Sequence, residues 1–226
     1  MYNKTVARSH TFAFGGYYHL YGRGVEKRNI FLDKSDYERF IKILFFCNGR
    51  KSIVIRDLPR GLTFVDYLDK RGETLIDIGA YCLMPNHFHL LVREKTEKGI
   101  SLFMQKLMTA YAMYFNDKYK RRGRLFESSY KSTHADNDEY LKYLFAYIHL
   151  NPVKLIDPNW KENGVKNKTE TKKYLVEYRF SSFIDYASEG RDAGLLLNQG
   201  EFPDYFPTKN AFTESIFEWI RKTTEV

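Results

Sequence analysis

Apolar and polar positions change their spacing several times along the chain. Residues 17–25 are rich in aromatic and apolar side chains and close with two glycines, which predicts a first strand. Behind Ser35-Asp36-Tyr37-Glu38, which has the pattern of a capping box, apolar residues recur three or four positions apart. This spacing predicts a first helix that ends at Asn48-Gly49.

Two more strands are predicted on either side of a turn. Residues 74–84 alternate, which predicts a strand with one apolar face made of Ile76, Ile78, Ala80, Cys82 and Met84. Pro85-Asn86 is a turn signal, and residues 87–92 then form the third strand. Residues 50–73 are polar and charged, which predicts a variable insertion with room for a short hairpin.

The remaining predicted elements complete the order of strands and helices along the chain. Ser101 is a candidate cap for a second helix, and residues 125–134 predict a short fourth strand. A third helix begins at a second capping-box pattern, Asp136 with Glu139, and Pro152 ends it. Residues 212–220 predict a small terminal helix. The order β-α-β-β-α-β-α predicts an α+β fold of the ferredoxin-like type, with an antiparallel sheet, helices on one face and one added C-terminal helix that carries the tyrosines described below.

Length and composition narrow the class of protein. The 226 residues and the 43% hydrophobic content exclude a disordered or collagen-like chain. We expect residues 1–156 to form one domain, with 50–73 as its insertion and 157–226 as an extension packed on it. The absence of an apolar run of 18 residues predicts no membrane span, and Cys47 and Cys82 are expected to be buried free thiols in a reducing cytoplasm.

The charge of the chain favours a polyanionic partner. Lys and Arg number 36 against 28 Asp and Glu, so the net charge is +8. Eighteen tyrosines and eighteen phenylalanines fit nucleic acid, since rings stack on exposed bases, although most of these rings are expected in the core. Five basic residues near the end of the second helix are candidate phosphate contacts, the alternative being a solvated helix end: Lys118, Lys120, Arg121, Arg122 and Arg124.

Candidate chemistry begins with the third strand. Side chains alternate along a strand, so His87 and His89 share one face, roughly 7 Å apart along the chain. The residues between and after them, Phe88, Leu90 and Val92, take the face that suits a helix-covered core. Two such imidazoles can bind one divalent metal, but the pattern alone also fits two half-exposed histidines. No partner is evident for His10, His19 and His134.

The third helix carries a polar stripe. Tyr140, Tyr143, Tyr147 and Asn151 recur at spacings of three and four, and His149 points almost the opposite way. A cation beside a phenol favours the phenolate and also polarises a phosphate oxygen, so a tyrosine at a metal site can attack a phosphodiester. The structural alternative is a packing tyrosine and a helix-end asparagine.

These motifs resemble a known family. Residues 80–92, AYCLMPNHFHLLV, resemble the HUH stretch (His, bulky apolar residue, His) of insertion-sequence-200-like single-tyrosine transposases. Residues 147–153, YIHLNPV, resemble the tyrosine-helix motif of the branch associated with repetitive palindromic (REP) elements. Residues 18–24 and 178–182 match the same branch, so the resemblance covers about 17–186 in the right order.

The resemblance implies a metal-dependent DNA strand transferase with residues 1–156 as its catalytic domain. His87 and His89 would bind Mg²⁺ or Mn²⁺, and Asn151 would complete the site where more typical insertion-sequence enzymes have glutamine. Tyr147 would become linked to a 5′ phosphate and free a 3′ hydroxyl. The substrate would be single-stranded DNA beside a hairpin. Family members occur as homodimers and as monomers, and the sequence leaves both open.

Two alternatives remain at this stage. The same topology serves non-catalytic nucleic-acid-binding proteins with an RRM-like sheet, in which the histidines would be incidental. Against this, the third strand lacks the ring-rich pattern of such sheets. Replication or conjugation initiators also use an HUH centre, but they generally carry further domains or a third nearby histidine. We expect a cytoplasmic protein of bacterial type that is associated with the nucleoid.

Overall fold

An antiparallel sheet of four strands lies at the centre of the protein. The computed structural model describes residues 11–51, 53–59, 61–188 and 190–222. The strands are β1 (Tyr17–Arg23), β2 (Ile76–Met84), β3 (His87–Glu94) and β4 (Lys131–His134), in the order β2-β3-β1-β4. Every neighbouring pair is antiparallel, and the first and third strands are central. This arrangement confirms the predicted ferredoxin-like α+β fold.

Helices connect the strands and follow them. They are α1 (Lys34–Cys47), α2 (Leu68–Arg71), α3 (Gly99–Lys118), α4 (Asp138–Leu150), α5 (Trp160–Asn163), α6 (Lys168–Glu177), α7 (Phe183–Ala187) and α8 (Lys209–Lys222). The predicted terminal helix lies within α8. The described residues of 50–73 form 3-10 turns and α2 in place of a hairpin. Within the described part of the chain, no helix has both the length and the apolar content that crossing a bilayer requires.

One face of the sheet is covered by α1 and α3. Phe88, Leu90 and Val92 are fully buried there, as the alternation of β3 predicts. A Cβ atom on Gly22 of the neighbouring strand would lie only 2.7 Å from the Phe88 ring, so glycine is required at this close approach. The helices complete this cluster with large buried side chains, among them Phe40, Leu44, Phe103, Leu107 and Tyr111.

The opposite face of the sheet is covered by α4 and by the C-terminal segments. A second apolar cluster there joins sheet residues to the apolar side of α4, and its other members include Leu175, Phe183, Phe212 and Ile216. Cys82 belongs to this cluster, whereas Cys47 belongs to the first one. Both cysteines are buried free thiols, as expected.

The prediction that β2 presents one continuous apolar face is wrong. The pairing of β2 with β3 shifts between Ile78 and Ala80, which leaves Gly79 without a partner in the register. This bulge reverses the alternation. Ile76 and Ile78 therefore face α1 and α3, whereas Ala80 and the residues at 82 and 84 face α4. Both faces of β2 are buried along its whole length, including at Asp77, so no alternation of buried and exposed positions marks the change.

The first helix begins earlier than the capping pattern predicts. Asp33 is the N-cap of α1: its carboxylate accepts the Asp36 N–H at 3.2 Å, and the Asp36 carboxylate accepts the Asp33 N–H at 3.3 Å. Ser35, the predicted cap, lies inside the first turn and donates its hydroxyl to Asp33. A capping box is present as predicted, but it begins two residues closer to the N-terminus.

The caps of the other two long helices also differ from the prediction. Ser101 lies inside α3, and the buried Glu94 carboxylate accepts the Ile100 N–H at 2.7 Å at the start of this helix. The N-cap of α4 is Asn137, whose side chain accepts a backbone N–H, and Asp136 lies one residue outside. Aspartate and asparagine are equally good caps, so spacing alone did not separate these two neighbours.

Residues 178–182, which match the REP-associated branch, run along the open edge of β2. The Tyr178 hydroxyl donates to the Leu83 carbonyl at 2.6 Å, and the Ser182 N–H donates to the Tyr81 carbonyl at 2.9 Å. The Leu83 N–H in turn donates to the Phe180 carbonyl at 2.9 Å. The segment thus satisfies edge groups of the sheet that would otherwise be exposed to solvent or to another chain.

Candidate active site

A cavity of about 400 Å³ opens on the sheet face below α4. His87 and His89 reach it from β3, and Tyr147 reaches it from α4, so the sequence-predicted pair and tyrosine line one space. Tyr140 and Tyr143 of the predicted stripe line it as well. The other lining residues are His19, Tyr21, Gly22, Arg23, Glu127, Ser128, Lys131, Thr133 and Leu144.

The two predicted histidines and the tyrosine are in close contact. The ring centres of His87 and His89 lie 4.9 Å apart with nearly perpendicular planes, which confirms that both side chains share one face of β3. The Tyr147 ring lies 5.4 Å from His89, again edge to face. Because the strand and the helix are both anchored in the second apolar cluster, this geometry rests on regular elements rather than on loops.

Asn151 closes the same site at the end of α4. It is the C-cap residue of the helix, and its Nδ2 donates to the Tyr147 carbonyl at 2.7 Å. The amide is also close enough to the His87 imidazole and the Tyr147 phenol to influence the pKa values of both groups. The position of Asn151 is therefore compatible with both roles that the sequence left open, that of a helix-end residue and that of a residue of the site.

His19 is part of the site, although no partner for it was evident from the sequence. Its Nε2 lies 2.9 Å from Nδ1 of His89, and the two rings stack with centres 5.0 Å apart. In the register of β1 and β3, Tyr21 is opposite His89 and His19 is opposite Leu91, so the two histidines are diagonal neighbours. The predicted order already places β1 beside β3, and the alternation of β1 was the signal that could have found this contact.

All three histidines are held neutral. Burial lowers the pKa of His19 to about 4. Burial, with the nearby charges of Arg23 and Lys154, lowers the pKa of His87 to about 4. Burial is also the main reason that the pKa of His89 lies well below its ordinary value. Neutral imidazole is the form that binds metal ions, so these side chains are ready to act as ligands at neutral pH.

Tyr147 is a protonated phenol in this environment. Burial raises its pKa, and the hydrogen bond with Asn151 and the charge of Arg23 only partly oppose that effect. The ammonium group of Lys161 lies 4.7 Å from the centre of the Tyr147 ring, on the side of α5. A further positive charge close to the hydroxyl is therefore required to favour the phenolate.

The free lone pairs of the site fit a divalent cation. His87 Nδ1 donates to Asn86 Oδ1 at 2.6 Å, which leaves Nε2 free, and His89 Nδ1 is occupied by His19. Asn151 uses Nδ2 for a backbone carbonyl, which leaves Oδ1 free. Ligands oriented by a second hydrogen bond are typical of metal sites. No group of three His, Cys, Asp and Glu side chains suited to a metal occurs in the described residues, so the third ligand here would be an amide.

The predicted basic segment lies outside this cavity. Lys118 ends α3 on the other side of the sheet, and its Nζ forms ion pairs at 2.7 Å with both Asp33 and Asp36. Lys120 Nζ lies 3.4 Å from Asp117 Oδ1 in an exposed ion pair. Arg121 donates to an asparagine of α3, and Arg124 lines an apolar groove along α3. The charge of Lys118 is therefore matched within the protein, whereas that of Arg122 has no ion pair among the described residues.

The other histidines lie outside the cavity. His134 stacks on Tyr18 with ring centres 4.9 Å apart. His149 is fully buried on the opposite side of α4, as its position in the helix predicts, and its Nε2 lies 2.7 Å from Ser182 Oγ. Its role is to join α4 to the C-terminal segment. His10 lies outside the described residues.

The fold and the cavity define an α+β protein of the ferredoxin-like type with a histidine and tyrosine site on the face away from α1 and α3. The family model for IS200-like transposases matches residues 36–151, just over half of the chain, and this range contains both histidines of β3 and Tyr147. The chain therefore belongs to the IS200-like transposases.

One solved structure that resembles the chain is that of a REP-associated tyrosine transposase bound to a REP hairpin. It shares 14% identity and a TM-score of 0.48, over 80% of this chain and 84% of that chain. A similarity of this size does not establish a fold, which here follows from the strand order and pairing. No curated protein matches the chain.

Proposed function

We propose that this transposase is a metal-dependent, single-tyrosine DNA strand transferase of the REP-associated branch. Tyr147 is the nucleophile, and His87, His89 and Asn151 hold Mg²⁺ or Mn²⁺. The observation that carries the proposal is the meeting of the tyrosine and both histidines in one cavity, with the rings of Tyr147 and His89 only 5.4 Å apart. Residues distant in sequence converge there on the combination that phosphodiester transfer requires.

The chemistry is a transesterification. Tyr147 Oη attacks the phosphorus of a DNA phosphodiester, the bond from phosphorus to the 3′ oxygen breaks, and the DNA remains attached as a 5′-phosphotyrosine. The phenol proton passes to water, and the departing 3′ oxygen takes up a proton. When bound, the divalent cation supplies positive charge that favours the phenolate and polarises the phosphate. Attack by a 3′ hydroxyl on the phosphotyrosine reverses the step and joins strands without ATP.

The side chains around the nucleophile have separate tasks. His19 fixes the orientation of the His89 imidazole through the 2.9 Å hydrogen bond, and Asn86 does the same for His87. The hydrogen bond from the Asn151 side chain to the Tyr147 carbonyl holds the proposed amide ligand beside the nucleophile. The metal ligands and the attacking oxygen are thereby held in one rigid unit, which limits the reorganisation needed to reach the transition state.

The proposed substrate is single-stranded DNA beside a hairpin. Support comes from the three stretches at 18–24, 147–153 and 178–182, which match the REP-associated branch. Arg122 and Arg124, which follow α3, are proposed to contact phosphates of the flanking DNA, whereas Lys118 is committed to Asp33 and Asp36.

The test is the formation of a covalent adduct. The full chain is incubated with labelled single-stranded DNA from the flanks of its own gene, with Mg²⁺ or Mn²⁺, and denatured in SDS. We expect an adduct that EDTA prevents and that Tyr147→Phe abolishes. Tyr143→Phe, which removes a hydroxyl from the same tyrosine row one turn away, is the matched control and should retain the adduct.

Two outcomes would contradict the proposal. An adduct that persists in Tyr147→Phe would assign the nucleophile to another residue. No adduct on any flank, together with firm hairpin binding, would identify the protein as a nucleic-acid binder with an idle site.

A further inference from the structure

Besides Lys131 of β4, which lines the cavity, three cations from three separate elements approach the candidate site. Arg23 is the last residue of β1 and lies directly opposite His87 in the register with β3. Lys154 belongs to the 3-10 turn Asn151–Leu155, which follows α4. Lys161 comes from α5 and places its ammonium group 4.7 Å from the centre of the Tyr147 ring. None of these residues belongs to the basic segment at 118–124.

These cations lack the carboxylate partners that neutralise other basic residues of the protein. In the described ranges, no carboxylate lies within ion-pair distance of Arg23, Lys154 or Lys161, although all three side chains are exposed. Glu162 follows Lys161 along the chain, and Glu127, which also lines the cavity, donates its backbone N–H to the Arg23 carbonyl at 3.0 Å but forms no ion pair with its guanidinium group. The group therefore retains most of its positive charge.

Geometry places these charges around one site, since Lys161 lies against the Tyr147 ring and Arg23 lies opposite His87 in the strand register. Packing of the otherwise exposed Lys161 against this ring removes part of its solvent and lowers its pKa, and the charge of Lys154 lowers it further. Like charges that converge without a counter-charge are unfavourable unless an anion binds between them.

We propose that Arg23, Lys154 and Lys161 form a phosphate-binding rim that holds the DNA strand across the active site. Lys161 contacts the phosphate next to Tyr147, and Arg23 and Lys154 contact phosphates on the side of His87. The identity of the anion as a DNA strand rests on the proposed function. The rim supplies most of the electrostatic affinity for the reacting strand at the active site.

The test compares two variants with the same change in charge. One replaces the rim (Arg23→Gln, Lys154→Gln, Lys161→Gln), and its matched control replaces three exposed lysines on or shortly after α1, the helix that covers the other face of the sheet (Lys34→Gln, Lys42→Gln, Lys51→Gln). The probe is a fluorescein-labelled DNA hairpin with a single-stranded tail, taken from the flank of the gene. Its fluorescence anisotropy is followed with the full chain in EDTA over a series of salt concentrations, so that binding is measured without cleavage.

We expect the rim variant to bind at least about tenfold more weakly at about 0.1 M salt, with a salt dependence reduced by about two ion equivalents. The control variant should lose less than about threefold. Both variants should keep the melting temperature of the wild type, because the substituted side chains lie at the surface.

Equal losses in the two variants, or wild-type binding by the rim variant, would overturn the rim. A rim that governs binding in a protein that never forms an adduct would overturn the proposed chemistry alone. Adduct formation by the wild type, together with unchanged hairpin affinity in the rim variant, would overturn the rim and leave the proposed chemistry standing. The two proposals therefore fail separately.

Discussion

The two faces of the sheet have the same strands but opposite properties. The face below α1 and α3 is apolar and closed, with Phe88 fully buried. The face below α4 is partly open, and it carries His87 and His89 on either side of that same phenylalanine. Because side chains alternate along a strand, one residue step separates a side chain that stabilises the fold from one that lines the site. A short motif can therefore encode both properties.

The basic residues differ between the two faces in a parallel way. On the closed side, Lys118 is enclosed by Asp33 and Asp36 and helps to fasten the end of α3 to the start of α1. On the open side, Arg23 and Lys161 have no such partners in the described residues. A high density of basic residues in the sequence thus marks a structural clamp in one place and a candidate binding surface in the other.

Removal of the buried ring tests the closed face and has the largest expected effect. Phe88→Ala should lower the free energy of unfolding by about 4 kcal/mol, because a tightly packed ring leaves a cavity. Urea denaturation measures this loss. The matched variant on the open face, His87→Ala, should change stability by less than about 1 kcal/mol and abolish the adduct. Similar stability losses in both variants would contradict the conclusion that one face stabilises the fold and the other forms the site.

Removal of His19, the third histidine of the site, tests the open face. His19→Gln should weaken Mn²⁺ binding by about tenfold to a hundredfold, because His89 loses the group that orients it. Titration of the full chain with Mn²⁺, followed by electron paramagnetic resonance, measures the affinity. His134→Gln, on the outer strand β4, is the control and should bind Mn²⁺ as the wild type does. Unchanged affinity in His19→Gln would show that His89 needs no support.

Removal of the clamp lysine has the smallest expected effect. Lys118→Met should lower the free energy of unfolding at neutral pH by roughly 1–2 kcal/mol, because the buried Asp36 carboxylate loses a charged hydrogen bond that water replaces only in part. Urea denaturation measures this change as well. Lys120→Met breaks an exposed pair with Asp117 and should stay within about 0.5 kcal/mol.

The clamp also predicts how the Lys118→Met effect changes with pH. Burial opposes ionisation of Asp36, but the hydrogen bonds from Lys118 and from backbone and tyrosine donors outweigh it and lower its pKa. A lowered carboxyl pKa gives stability that is present above the ordinary aspartate pKa of about 4 and is lost as the pH falls through the folded value. The difference between wild type and Lys118→Met should therefore shrink in acid. A constant difference down to pH 3 would contradict this origin.

Local patterns were sufficient for much of the fold and part of the site. The alternation around His87 and His89 gave their shared face, and the helical spacing of Tyr147 and Asn151 gave their proximity. The element order gave the topology. The basic segment shows where such patterns fail, since nothing near Lys118 in sequence announces the carboxylates of Asp33 and Asp36 that enclose it.

The sequence by itself determined the strand and helix order, the buried face of β3, the shared face of His87 and His89, and the helical stripe that contains Tyr147. Each of these depends on spacing within an element. Only the tertiary structure decided the bulge at Gly79, the contact of His19 with His89 and the gathering of Arg23 with Lys161 around Tyr147. These features depend on the register between strands and on where a distant segment packs. Such distances are fixed when the whole core closes, and no local pattern carries them.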